Sequence, residues 1–213
     1  VCSSDLSYEF REDNNEEIAQ DVEEKKKRHL KVKDKQKAAL NHYVNTHYQR
    51  LNYLLETELS TEELILERFG NDVVVRVNES ASFDPGRDKL NKKFHKVLDN
   101  IAVSARSMSS TIIVSGHTDN IPIATKRYRS NWELSSARAV SVVHGLLRTG
   151  LIDRQRVTVV GLADTQPLVS NDTVKNRSLN RRVEIKFSFD ESIFDDAFEK
   201  LEAIQEIKKA QIE

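Results

Sequence analysis

The hydrophobic pattern changes period along the chain. Residues 8–58 contain no Gly or Pro, and in their second half Leu40, Tyr43, Val44, Tyr48, Leu51, Leu54 and Leu55 recur every three to four positions. That spacing predicts an amphipathic helix. The first half is mostly charge, in blocks such as Glu23-Glu24 followed by Lys25 to Arg28, and reads as a solvated helix or tether. "STEELILERFGN" (60–71) predicts a short helix, because Ser60 and Glu63 have capping-box spacing and Gly70 stands where a C-terminal cap would.

Further along, strands alternate with helices. "DVVVRVNES" predicts a strand over 72–78, and "FDPGRDKL" a turn. Leu90, Phe94, Val97, Leu98 and Ile101 mark a helix, and a strand at 111–115 follows. Ser130 and Glu133, again at capping-box spacing, open a further helix, whose stripe is Ala139, Val140, Val143, Leu146 and Leu147 and whose end is Gly150. "RVTVVGLAD" reads as a strand, "QPLVSNDTVKNRSLN" as a loop, and "RRVEIKFSF" as a last strand with Val183, Ile185 and Phe187 alternating. A helix or tail covers 190–213. From residue 71 the order is β-α-β-α-β-β, which predicts an α/β fold: a two-layer sandwich with helices on one sheet face. Right-handed crossovers would join the first three strands, and the last two would pair with each other.

Composition adds an asymmetry. Of 213 residues, 38% are hydrophobic and 31% charged, so part of the chain is expected outside any core. The net charge of −1 hides a balance of −4 over 1–70, +7 over 71–190 and −4 over 191–213. A basic middle between acidic flanks points to an anionic partner for the middle alone. No aromatic platform accompanies it, which argues against nucleic acid. Cys2 is the only cysteine, so no internal disulfide can form. No apolar run approaches the roughly 18 residues of a membrane span. The sequence starts without Met or a signal peptide and reads as a fragment, with the nativeness of its first residues open.

The candidate chemistry centres on "SGHTDNIPI" (115–123), where a β-branched strand runs into Gly116, His117, Thr118 and Asp119. A metal site needs three or four ligands, and His117 and Asp119 have no partners in an HExxH or cysteine cluster; no metal or other cofactor is expected. There is no GxSxG elbow, no Gly-rich phosphate loop and no second acid in a matching context, so no enzyme is expected. Binding fits better. Asn131, Ser135 and Arg138, at i, i+4 and i+7, form a polar row beside the apolar stripe of their helix. Two readings of Asp119 and Arg138 stay open: a structural ion pair, or an acid and a guanidinium presented together to a zwitterion.

The pieces "GHTDNIPI", "YRSNWELSSARAVSV", "VVGLADTQPLVSN" and "NRSLNRRVEI", in that order, resemble the OmpA-like peptidoglycan-binding domain in its flagellar stator version, the MotB/PomB family. The resemblance covers about 70–188, and "YRSNWELSSARAVSV" is most similar to the sodium-type PomB branch. It implies a ligand, the diaminopimelate of peptidoglycan stems. Asp119 would take the ammonium and Arg138 the carboxylate, with Thr118, Asn131 and Arg181 lining the same pocket. Arg182 and Asn180 would serve structure, Trp132 packing, and Ser115 and His117 the strand end. It also implies a homodimer, a MotA/PomA-like membrane subunit reached through an absent N-terminal segment, and a periplasmic domain tethered to the inner membrane. Residues 1–60 would be a periplasmic linker, 61–189 the binding domain and 190–213 a C-terminal helix or tail. The apolar thread at 40–55 would either help dimerise or dock on its own domain. The same domain in another envelope machine, a secretion system or a MotAB-like defence complex, is the alternative.

Overall fold

The structure, a computed structural model, describes residues 5–61, 63–84 and 86–192, with side chains from residue 22 onward. The helix or tail expected over 190–213 falls outside the described residues beyond Ser192. The chain divides into two compact units. The described part of the first is the stretch of helix α1 (Asp5–Leu54) up to Leu40. The second, residues 41–193, holds the fold and the candidate site.

Five strands form one sheet in the order β1-β2-β5-β3-β4. They are β1 (Leu64–Phe69), β2 (Asp72–Asn78), β3 (Thr111–His117), β4 (Val157–Gly161) and β5 (Arg182–Ser188). The α/β character and the helix-covered face agree with the sequence reading, but three details differ. The stretch 60–71 is not a helix. A five-residue helix α2 (Glu56–Ser60) ends there, and β1 then pairs antiparallel with β2 from Leu64↔Val77 to Phe69↔Asp72. Leu64 and Leu66 are buried and Ile65 is exposed, the period of a strand. Gly70 is no helix cap. Its φ of 59° opens the tight turn of the hairpin, where a left-handed residue is required.

The last two strands do not pair with each other. β5 lies between β2 and β3, antiparallel to both, while β4 runs parallel to β3 at the sheet edge. Burial explains the placement. In β5 Val183, Ile185 and Phe187 are buried, as a central strand requires, whereas β4 leaves Thr158 and Val159 exposed. The expected loop before β5 also contains a helix, α6 (Val174–Asn180), whose N-cap Thr173 accepts from the Asn176 N–H.

One face of the sheet packs on helices α4 (Lys92–Ala105) and α5 (Asn131–Leu147). Val73, Val75, Ile112, Val114, Ile185 and Phe187 meet Leu98, Ile101, Val142 and Leu146 in this core, all fully buried or nearly so. The opposite face carries a ladder of charges. Arg76 bridges Glu67 at 2.6 Å and Glu184 at 2.9 Å, and Arg182 joins Glu184 at 2.7 Å.

The end of α1 docks on this unit, one of the two fates left open for the apolar thread. Val44, Leu51 and Leu55 are fully buried. Tyr43 Oη donates to the Ser107 carbonyl (3.1 Å) and accepts from the Ser109 N–H (2.9 Å). Phe189, just past β5, stacks on His47 with ring centroids 6.0 Å apart.

Candidate functional site

The sheet topology gathers four chain segments at one end. Asp119 follows the C-terminal end of β3, Glu79 opens the short helix α3 (Glu79–Ser82) after β2, Arg181 precedes β5, and α5 starts nearby at Asn131. Register does the gathering. Asn78 of β2 and His117 of β3 both pair with Arg182 of β5, so the residues just beyond them, Glu79 and Thr118-Asp119, flank Arg181. The Glu79 N–H donates to the Arg181 carbonyl at 3.0 Å.

α5 is pressed onto the strand ends. A Cβ on Gly116 would lie 2.1 Å from the Ser135 carbonyl oxygen, so only glycine permits this approach. Ser135 Oγ in turn accepts from the Ala163 N–H at 3.1 Å, and the Ala163 carbonyl accepts from the Thr118 N–H at 2.8 Å. The capping box expected at Ser130 and Glu133 is not formed. Ser130 makes no side-chain cap, and Glu133 instead accepts from the Arg129 backbone N–H and guanidinium.

A cavity of about 300 Å³ results. Thr118, Asp119, Asn131, Arg138 and Arg181, the five residues singled out from sequence, all line it, together with Glu79. Asp119 and Arg138 are not paired with each other. Arg138, 1% exposed, donates through Nε to the Arg87 carbonyl (2.9 Å) and through Nη2 to Glu79 Oε1, and its guanidinium lies over the Phe83 ring at 5.4 Å. Arg181 reaches Glu79 Oε2 through Nε (2.5 Å) and Asp119 Oδ2 through Nη1 (2.7 Å). Asp119 Oδ1 also accepts from the Ile121 N–H at 3.1 Å. Burial alone would lower the Arg181 pKa, but the bonds to Asp119 and Glu79 outweigh it and raise it.

Each remaining residue has a distinct role in the geometry. Asn131 holds the 119–123 loop: its Nδ2 donates to the Asp119 and Ile121 carbonyls, and its Oδ1 accepts from the Ile123 N–H. Asn180 pins the 168–171 loop, accepting from Leu168 and Val169 and donating to Val169 and Asn171. Arg182 is buried away from the cavity, against Glu184 and the Gln166 and Asn180 carbonyls. His117 sits on the charged face, 3.3 Å from Ser115 Oγ. Burial first, and then the Arg182 guanidinium, pull its pKa down to about 4. Trp132 does not pack inside as expected; it is 52% exposed.

Sequence reasoning missed Glu79. It lies ahead of every recognised motif, 59 residues from Arg138 and 102 from Arg181, and only the strand register brings it there. A larger pocket of about 530 Å³ opens beside α2 and the start of α4, but Glu58, Glu63, Lys92 and Lys93 in its wall belong to no ion pair among the described residues. The described residues contain no cluster of three or more potential metal ligands and no helix long and apolar enough to cross a membrane.

Comparison with known proteins agrees with this architecture. A model described as the OmpA family matches residues 82–181. Motility protein B of Bacillus subtilis (strain 168) is 33% identical over 140 residues, 64% of this chain and 49% of that protein. The structure of the cell wall anchor of the T6SS from Pseudomonas aeruginosa is 35% identical with a TM-score of 0.62, over 66% of this chain and 98% of that one. The periplasmic domain of Helicobacter pylori MotB is 28% identical with a TM-score of 0.55, over 64% of this chain and 90% of that one. The chain spans about half the length of the curated relatives it matches. The sheet order and these likenesses agree: residues 82–181 form a domain of the OmpA family, and the chain is a homologue of motility protein B over that part of its length.

Proposed function

We propose that this domain binds peptidoglycan without chemical turnover, through the free amino-carboxylate end of a diaminopimelate stem, and so anchors an ion-driven flagellar stator to the cell wall. The observation that carries this reading is the convergence of Asp119, Arg138 and Arg181 on one cavity at the strand ends. Asp119 keeps lone pairs free beside its bonds to Ile121 and Arg181 and accepts the ligand ammonium. Each guanidinium has five N–H donors and spends only two on protein partners, leaving donors for the ligand carboxylate. A general acid–base reaction has no obvious centre here, because both acids are tied to arginines.

Charge-assisted hydrogen bonds contribute roughly 1.5–3 kcal/mol each. Two or three of them, less the entropy of docking, give a Kd on the order of mM to tens of µM per site. Holding against motor torque then requires several sites bound at once, which a dimer within a ring of stators supplies. In this reading the domain lies in the periplasm. The chain ahead of residue 41 serves as a linker toward an inner-membrane segment, which assembles with a MotA-like subunit, while residues 41–60 stay with the compact unit. A second reading, the same wall anchor in a secretion machine, draws support from the likeness to the T6SS cell wall anchor over nearly all of that chain.

Co-sedimentation with purified diaminopimelate-type sacculi tests the function. The protein is expected in the pellet, and Asp119→Ala and Arg138→Ala, folded by circular dichroism, in the supernatant. Pelleting of either folded variant to the native extent would refute the assigned site.

A further inference from the structure

Glu79 belongs to none of the motifs, yet it is the most connected acid of the cavity. Its two carboxylate oxygens are divided between Arg138 and Arg181, and its own N–H is fixed to the Arg181 carbonyl. We propose that Glu79 sets the charge selectivity of the cavity: bridging both guanidiniums, it brings the lining to net zero, so that a zwitterion is accepted and a carboxylate lacking an ammonium is refused. This inference rests on the function proposed above and adds a specificity residue to it.

The charge count is simple. Among the described residues, the charged side chains lining the cavity are Glu79, Asp119, Arg138 and Arg181. Two acids against two guanidiniums leave no net charge. Without Glu79 the wall would carry two cations and one anion, and would attract any carboxylate. The setting makes this balance count. The side chains of Arg138, Asp119 and Glu79 are 2%, 9% and 12% exposed, so the field of an unmatched charge is weakly screened. A zwitterion preserves neutrality on entry. A carboxylate alone brings one uncompensated negative charge toward Asp119 and Glu79. Refusal of the wrong ligand is thus built from repulsion as well as from fit.

Glu79 also acts through the arginines. Arg181 is 32% exposed along its side chain, and its side-chain partners among the described residues are Glu79 and Asp119. Removing one of these anchors both changes the charge and loosens the fork. A purely structural role would weaken all ligands alike, whereas a charge role changes the ratio between ligands.

The test is calorimetric titration of the protein with two stem peptides. One ends in diaminopimelate; the other is identical except that the terminal amine is replaced by hydrogen. The native protein is expected to favour the first by at least about tenfold. Glu79→Gln, similar in shape but uncharged, is expected to bring the two within about threefold, mainly by tighter binding of the deaminated peptide. Arg181→Gln shifts the lining the other way, to net negative, and is expected to lose the deaminated peptide further; it keeps the question answerable if Glu79→Gln does not fold. Equal weakening of both peptides in Glu79→Gln, or an unchanged ratio, would overturn the role of Glu79. Binding of neither peptide by the native protein would overturn the proposed function and this role with it.

Discussion

Asp119 is set before any ligand arrives, one oxygen on the Ile121 N–H and the other on Arg181. Asp119→Asn retains an acceptor for Ile121 and nearly the same volume, but removes the charge and with it the ion pair to Arg181. It is expected to cost about 10- to 100-fold in affinity for a diaminopimelate peptide, the worth of one charge-assisted bond, with little change in melting temperature. Titration calorimetry beside a thermal melt separates the two effects. His117 makes a different prediction, because it lies on the far face of the sheet, against Arg182 and Glu184. Its folded-state pKa of about 4 is below the ordinary 6.5, so the unfolded chain takes up the proton first as pH falls. Its neutral form supports stability fully above pH 6.5, and up to about 3 kcal/mol is lost between pH 6.5 and 4. Denaturant melts across that range are expected to fall more steeply for the native protein than for His117→Gln; parallel curves would remove the histidine from this role. At this scale the sequence was readable where chemistry and spacing coincide. Asp119 after a β-branched strand and Arg138 seven residues beyond Asn131 could be found from the letters alone. Glu79 could not, because an acid after a valine-rich strand is ordinary until β5 lays Arg181 beside it.

Elements were legible where one period ran long enough. β2, β3, α4, α5 and β5 follow their hydrophobic spacing. The stretch 60–71 misled because Ser60, Glu63 and Gly70 imitate the punctuation of a helix, while the strand signal is only Leu64 and Leu66 about an exposed Ile65. α6 is seven residues long and polar, too short for a period to appear. The position of β5 was hidden for another reason. Which strands are neighbours depends on which must be buried on both sides, and that is a property of the assembled sheet. The docked end of α1 carries the prediction at this scale. Leu51 is fully buried within the 41–193 unit, so Leu51→Ala is expected to cost about 2–5 kcal/mol of unfolding free energy. Deleting residues 1–40 is expected to leave the melting of this unit nearly unchanged, and deleting 1–60 to lower it. If both deletions melted like the parent, the docking would contribute nothing to stability.

For the whole molecule, the charge asymmetry now has a location. The +7 segment coincides with the folded OmpA-family domain, and the acidic flanks lie outside most of it. The family resemblance and the α/β class were both readable from sequence and agree with the fold and its relatives. What the pocket binds is the central proposal, and nuclear magnetic resonance tests it most directly. Amide and guanidinium shifts of the labelled protein would be followed while a diaminopimelate stem peptide is added. The expected result is a saturable set of changes confined to Glu79, residues 118–123, Asn131 to Arg138 and Arg181, with the Arg138 and Arg181 side chains moving most. No saturable change, or changes gathered instead around Lys92 and Lys93 in the larger pocket, would contradict it.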